Sequence, residues 1–382
     1  MLHKHTCIAP FINLTVDPEQ NTSPCPYLGG GTWQFKDKEF KDIWKSAKFE
    51  KLRQDHIAGA KPIECNRCWK DEQVGKESAR QRANKMHDIS KLEKIIQDNS
   101  YVEGPKVLTM KNGNICNLQC RICGPKDSSS WIPEAKHHIK NYKNKLEHTW
   151  FEIESFKKNW TDDQMQNFYN ISNNLVRVEH YGGEPLYNKR VEEHTAKLVE
   201  LGLSKNIVLY FNTNGTHIPS TTLQDLFKSF KSVEFNLSID GIQDKFEYIR
   251  HPAKWSKLLQ TIEWCNNQQN LIWGIVTTVS NLNIYYLDSI LQTFDSWGKG
   301  NVFLNILENP KFYSIVNLPE NIKNIITKKY EGNKRLQSTV AYMNNNKGDD
   351  LIWKKFLFWT ENKDKYRQQD FRFTFPDFHS II

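Results

Sequence analysis

The sequence predicts an α/β fold built as a partial (β/α)6 barrel of the TIM type, and three observations lead there. Between residues 105 and 310, strand-like apolar runs alternate with helix-like stretches, and that alternation calls for a parallel sheet. Six such strand runs occur in that region, short of the eight that close a full barrel. The run Val233-Glu234-Phe235-Asn236-Leu237-Ser238-Ile239-Asp240 puts Phe235, Leu237 and Ile239 on one face and Asn236, Ser238 and Asp240 on the other. A polar inner face near the C-terminal end of a strand suits a ligand-binding barrel mouth. A doubly wound sheet is the competing arrangement.

In chain order, residues 1–100 are polar, poor in strand signals and rich in cysteine. Residues 101–310 form the core, with strands expected at 105–111, 175–181, 206–212, 232–239, 272–279 and 301–307. Helices are expected between them at 188–202, 220–230, 254–268 and 284–296. Residues 311–382 read as a C-terminal helical extension rich in Lys, Asn and aromatics.

The bulk composition excludes more than it assigns. The chain has 382 residues, a net charge of +8 and a pI near 8.9. The basic residues are interleaved with acids and form no basic tail, so a solvated surface is favoured over a nucleic-acid partner. No apolar run reaches the length of a membrane span. The opening MLHKHTCIAPF lacks the apolar segment of a signal peptide, which points to a cytoplasmic protein. Eight cysteines stand at 7, 25, 65, 68, 116, 120, 123 and 265. In a reducing compartment such clustering points to metal rather than disulfides.

Cys116, Cys120 and Cys123 follow the first core strand with C-x3-C-x2-C spacing. Three thiolates on one short loop can hold three irons of a cubane cluster and leave the fourth open to a small molecule. Tyr181-Gly182-Gly183-Glu184-Pro185 ends the second core strand. The paired glycines admit close backbone approach, and the carboxylate can accept hydrogen bonds from an ammonium.

Together these motifs resemble the radical S-adenosylmethionine (SAM) superfamily. The resemblance spans roughly 105–310. It implies that Cys116, Cys120 and Cys123 bind a SAM-cleaving [4Fe-4S] cluster, with Ile122 in the position usually filled by a bulky apolar residue. It implies that Gly182, Gly183, Glu184 and Pro185 hold the SAM amino group. Asn212-Thr213-Asn214-Gly215 and Ser238-Ile239-Asp240-Gly241 resemble segments that line the SAM ribose and carboxylate, which adds Asn212, Asn214, Ser238 and Asp240. Tyr248-Ile249-Arg250 is similar to a segment of that family as well. The fifth strand departs from the family's adenine-contacting pattern.

The second cysteine set is Cys7, Cys25, Cys65 and Cys68. Cys65 and Cys68 form a C-x2-C chelate, and Cys25 lies in the rigid turn Ser23-Pro24-Cys25-Pro26. Four thiolates suffice for one closed site, either zinc or iron–sulfur. Cys65-Asn66-Arg67-Cys68-Trp69, with Glu72, Gly75, Lys76, Glu77, Ser78 and Arg80 after it, resembles the auxiliary-cluster segments of twitch and SPASM proteins. In those proteins the auxiliary domain usually follows the barrel; here it precedes it. With three cysteines on the SAM cluster and four on the auxiliary site, only Cys265 is left, as a buried helix cysteine.

The resemblance implies a one-electron donor such as flavodoxin or ferredoxin, and hydrogen abstraction from a peptide, protein or small molecule. A tRNA-modifying enzyme and a non-catalytic iron–sulfur electron-transfer module are the alternatives.

Overall fold

The computed structural model describes residues 2–19, 21–28, 33, 35, 38–142, 159–299, 302–345 and 347–382. Its eight strands are β1 Asn13–Val16, β2 Thr22–Ser23, β3 Val107–Lys111, β4 Arg177–Tyr181, β5 Val208–Thr213, β6 Ser232–Ser238, β7 Leu271–Val279 and β8 Phe303–Ile306. The sheet order is β2-β1-β3-β4-β5-β6-β7-β8. From β3 onward it follows the chain without the reversal of a doubly wound sheet, as a barrel wall does. β1 pairs parallel with β3 (Asn13 opposite Val107), β3 with β4 (Val107 opposite Arg177) and β4 with β5 (Arg177 opposite Val208). β7 and β8 also run parallel, with Val276 opposite Phe303.

All six expected core strands are present. The start of the last, Asn301, lies outside the described residues. The expected helices appear as Lys189–Glu200, Thr221–Phe227, Trp255–Asn266 and Leu287–Ser296. Asn188 caps the first of these by accepting from Arg190 N at 3.1 Å.

The N-terminal region adds what its composition did not suggest, the two strands β1 and β2. All four residues of β1 are buried, so it carries no in–out alternation to read.

The chain divides into two compact units. One comprises 1–113, 158–212 and 219–234; the other comprises 114–157, 213–218 and 235–382. In the first, Ile8, Phe11, Ile12, Leu92, Ile95, Tyr101 and Val107 form one buried cluster. The second contains the C-terminal helices, the longest being Asp350–Arg367, whose N-cap Asp349 accepts from Leu351 N and Ile352 N. Its apolar side packs through Phe356, whose ring lies 5.9 Å from Tyr313 and 6.0 Å from Phe371. Among the described residues no helix is long and apolar enough to cross a membrane.

Candidate metal centres

Among the described residues no disulfide forms between any of the eight cysteines. In the first unit, Cys7, Cys25, Cys65 and Cys68 line a single cavity. Three separate stretches bring them there: the segment before helix Ala9–Ile12, the turn after β2, and the start of helix Asn66–Gln73. Arg80 ties the first and third of these stretches together. Its Nε and Nη2 donate to the Glu72 carboxylate at 3.0 and 2.9 Å, and its Nη1 donates to the carbonyls of Lys4 and Thr6, both at 3.0 Å. The helix that carries Arg80 starts at a capping box between Ser78 and Gln81.

The electrostatics of this cavity suit a cationic guest. Burial pushes the Cys25 and Cys65 thiols up to about 12 and Cys7 well above the ordinary range, and the thiols raise one another further. Thiols held up in this way stay protonated until a metal or iron–sulfur group displaces their protons, and Arg67 and Arg80 also line the cavity. His56 was not anticipated from sequence. It is fully buried, with Nε2 at 3.8 Å from Cys65 Sγ, and desolvation pushes its pKa down to about 4, so it is a neutral neighbour. Nothing in its sequence context distinguishes it from an ordinary core histidine.

Cys25 and Tyr27 also line a second cavity in this unit, with Asn13, His87, Thr109, Glu179 and Tyr181. A polar network backs it. Thr109 Oγ1 lies 2.9 Å from Asn13 Oδ1 and 3.1 Å from Glu179 Oε2. Arg177 pairs with Glu179 at 2.6 Å and Glu234 at 2.8 Å.

At the end of β4 the chain turns through Gly182 (φ 78°) and Gly183 (φ 56°). A Cβ on Gly182 would stand 3.2 Å from Gly113 O and 3.3 Å from Asn112 N, so both the left-handed backbone and the tight approach favour glycine. Asn112 N donates to Tyr181 O at 2.6 Å, holding this turn against the end of β3. Glu184 is buried at 1% exposure, and its Oε1 accepts from Leu186 N at 3.1 Å. Pro185, also buried, opens a 3-10 turn over Pro185–Tyr187. Asn212, near the end of β5, is half-buried.

In the second unit, Cys116, Cys120 and Cys123 share one loop that main-chain bonds hold in place. Gln119 N donates to His251 O at 2.6 Å, Arg121 N to Ile249 O at 2.7 Å, and Cys123 N to Cys120 O at 3.0 Å. Trp131 Nε1 donates to Cys120 O at 3.0 Å. Ile122 is half-buried between the second and third thiols. Asn214 Nδ2 donates to Asn117 Oδ1 at 2.9 Å, and Asn117 Nδ2 to Thr216 Oγ1 at 3.1 Å, so the Asn214-Gly215 turn is latched to the cysteine loop. A hydrogen bond from Cys123 lowers the Cys120 thiol, with help from Arg250 and Arg367 against the effect of burial. The same bond raises Cys123 well above its ordinary value. A thiol held toward its thiolate form beside cations is suited to ligate iron.

Ser238 is buried at the end of β6. Asp240 is fully buried and pairs with Arg250 at 2.8 Å, and its Oδ1 accepts from Thr278 N at 2.7 Å. Cys265 is buried on helix Trp255–Asn266, and burial pushes its thiol up to about 12. Among the described residues, no three or more His, Cys, Asp or Glu side chains close into a ready pocket for a metal ion.

Comparison with known proteins gives two separate family matches. Residues 111–292 match the radical SAM superfamily, and residues 7–69 match the SPASM iron–sulfur cluster-binding domain. The second match begins at Cys7 and ends one residue after Cys68. An uncharacterized protein of Methanocaldococcus jannaschii is 25% identical over 223 residues, which is 57% of this chain and 68% of that one. Among solved structures, native anSMEcpe with bound AdoMet is 18% identical at a TM-score of 0.40, over 64% of this chain and 63% of that one. Streptococcus suis SuiB bound to S-adenosylmethionine is 10% identical at a TM-score of 0.40, over 89% of this chain and 71% of that one. The chain thus spans just under two thirds of the length of anSMEcpe. By these matches the chain carries a radical SAM domain at residues 111–292 and a SPASM iron–sulfur cluster-binding domain at residues 7–69, ahead of that core.

Proposed function

We propose that this chain reductively cleaves SAM on a cluster held by Cys116, Cys120 and Cys123, and that it uses the resulting radical to oxidise a peptide or small molecule. A radical SAM domain implies a [4Fe-4S] cluster and SAM, and a SPASM domain supports an auxiliary cluster. The observation that carries the reading is the cysteine loop, three thiols on eight residues held in place by main-chain hydrogen bonds. Cys116, Cys120 and Cys123 would hold the cluster, which with SAM would supply one-electron, hydrogen-abstracting chemistry there.

The protein's own task is to bind, orient and exclude water. Gly182, Gly183, Glu184 and Pro185 are assigned to the SAM amino group, and Asn212, Asn214, Ser238 and Asp240 to its ribose and carboxylate region. Asp240 would act through its bond to Arg250. Cys7, Cys25, Cys65 and Cys68 are assigned to the auxiliary cluster. The cavity lined by Tyr27, Thr109, Glu179 and Tyr181 borders the cysteine cavity through Cys25. A substrate group held there would lie beside an electron acceptor, which supports net oxidation.

The test is anaerobic reconstitution with iron and sulfide, addition of dithionite and SAM, and chromatography for 5′-deoxyadenosine and methionine. Equal amounts of both are expected. Protein that carries clusters and releases neither is an electron-transfer module instead.

Glu184→Ala is expected to weaken SAM binding roughly ten- to a hundred-fold while cluster content holds. The loss of a charge-assisted bond to an ammonium costs on the order of 1.5–3 kcal/mol. Equilibrium binding of SAM to reconstituted protein reads this directly. Unchanged affinity would make Glu184 only the cap of the turn before Leu186.

A further inference from the structure

Beneath the cysteine loop lies a group of buried charges that SAM cleavage does not itself require. Helix Asp350–Arg367 contributes two of them, Lys363 and Arg367, with half-buried Asp364 between. Lys363 is fully buried, and its Nζ donates to Arg121 O and to Tyr313 Oη, both at 3.2 Å. Both partners are neutral oxygens, so among the described residues the ammonium has no carboxylate in contact. Arg367 Nε donates to Glu134 Oε2 at 2.9 Å, but Nη1 and Nη2 are buried with no hydrogen-bond partner among the described residues. Asp364 pairs with Arg121 and accepts from Tyr248 Oη at 2.8 Å.

Lys363 and Arg367 both lie against the Trp131 ring, each 4.7 Å from its centroid. That indole holds the Cys120 carbonyl, and Lys363 holds the carbonyl of the next residue. Two cations from one helix are thus fixed behind the middle of the three-thiol loop. Burying a guanidinium with two idle donors is costly unless negative charge stands nearby. Arg367 and Cys120 interact electrostatically, as do Lys363 and Cys123; burial pulls the Lys363 ammonium well below its ordinary range, and the negative charge of a cluster on the loop would oppose that and hold its proton. The other charges around the loop are Arg121, Arg250, Asp127, Asp240, Asp364 and Glu134. Four of these are carboxylates; among the described residues none forms an ion pair with Lys363, and Glu134 acts on it through space while pairing with Arg367.

From this geometry we infer that the C-terminal helix is the cationic backing of the three-cysteine cluster, and that Arg367 and Lys363 set its reduction potential. The inference rests on the assignment of Cys116, Cys120 and Cys123 as cluster ligands. One electron from a reductant takes the cubane and its three thiolates from one net negative charge to two, with no bond made or broken. A fixed positive charge stabilises the more negative state, and does so more strongly in a low-dielectric interior than in water. These two residues therefore make the cluster easier to reduce.

The experiment is a redox titration of the full reconstituted chain followed by electron paramagnetic resonance. The signal absent from Cys120→Ala identifies the cluster to follow. Arg367→Gln and Lys363→Met should each move its midpoint to more negative potential while iron content holds. Arg367→Lys, which keeps the charge, should stay near wild type. Lys365→Gln is the control: it removes one positive charge from the same helix, but at an exposed position paired with Glu361. It should leave the midpoint in place. If Arg367→Gln leaves the Glu134 side unfolded, Lys363→Met alone decides. A midpoint that moves no further in Lys363→Met than in the control overturns the inference while leaving the SAM-cleavage reading intact. A wild-type chain that assembles no cluster on these cysteines ends both.

Discussion

Cys120→Ala should leave no detectable 5′-deoxyadenosine in protein that remains folded. Two thiolates cannot hold a cubane with one open iron, so the loss is of the cluster and not of a fraction of the rate. The loop should keep its path because main-chain groups hold it: Gln119 N on His251 O, Arg121 N on Ile249 O, and the Cys120 carbonyl under Trp131. None of these bonds needs the thiol. Iron should fall from about eight per chain to about four, the content of one remaining cubane. Circular dichroism and chromatography establish the fold, and iron analysis with product assay establishes the loss. Turnover surviving in the triple alanine variant at 116, 120 and 123 would sink the cluster assignment.

The second large effect is expected at the other end of the chain. Replacing Cys65 and Cys68 together should remove about four irons and stop substrate turnover, while SAM cleavage uncoupled from substrate continues. Cys7 and Cys25 alone cannot complete a closed site, and the buried thiols of this cavity repel one another as thiolates. The metal is read on the variant lacking Cys116, Cys120 and Cys123, in which only this site can load. About four irons are expected there. One zinc and no iron would make the site a structural clip, and the case for oxidation through an auxiliary cluster would fall with it.

What could be read in advance was local. The six core strands carry their own apolar patterns, and the C-x3-C-x2-C loop, the Gly-Gly-Glu-Pro turn and the C-x2-C pair are each contained in a few residues. β1 escaped notice because four residues buried on both faces, followed at once by Asp17-Pro18, offer no period to count. Asp240 was legible as a polar strand end but not as half of a buried pair, because Arg250 reaches it from the far end of the next helix. The backing of the cysteine loop was out of reach altogether. Lys363 meets Arg121 across 242 positions, and Arg367 meets Glu134 across 233. Tertiary packing creates such neighbours, and no spacing rule announces them.

The parallel pairing of Asn13–Val16 with Val107–Met110 bears on how this protein could be cut or shuffled. Cys7 and Cys25 flank a strand that is stitched into the same ladder as the core, with Thr22–Ser23 laid antiparallel outside it. The cysteine-bearing segment is therefore not a detachable module. Deleting it would strip the partner from Val107–Lys111 and expose a row of unpaired main-chain donors and acceptors on an apolar strand, an invitation to edge-to-edge association. A truncated core of this chain should then precipitate rather than persist as a smaller enzyme, so any recombination that moves the core must carry its first strand with it.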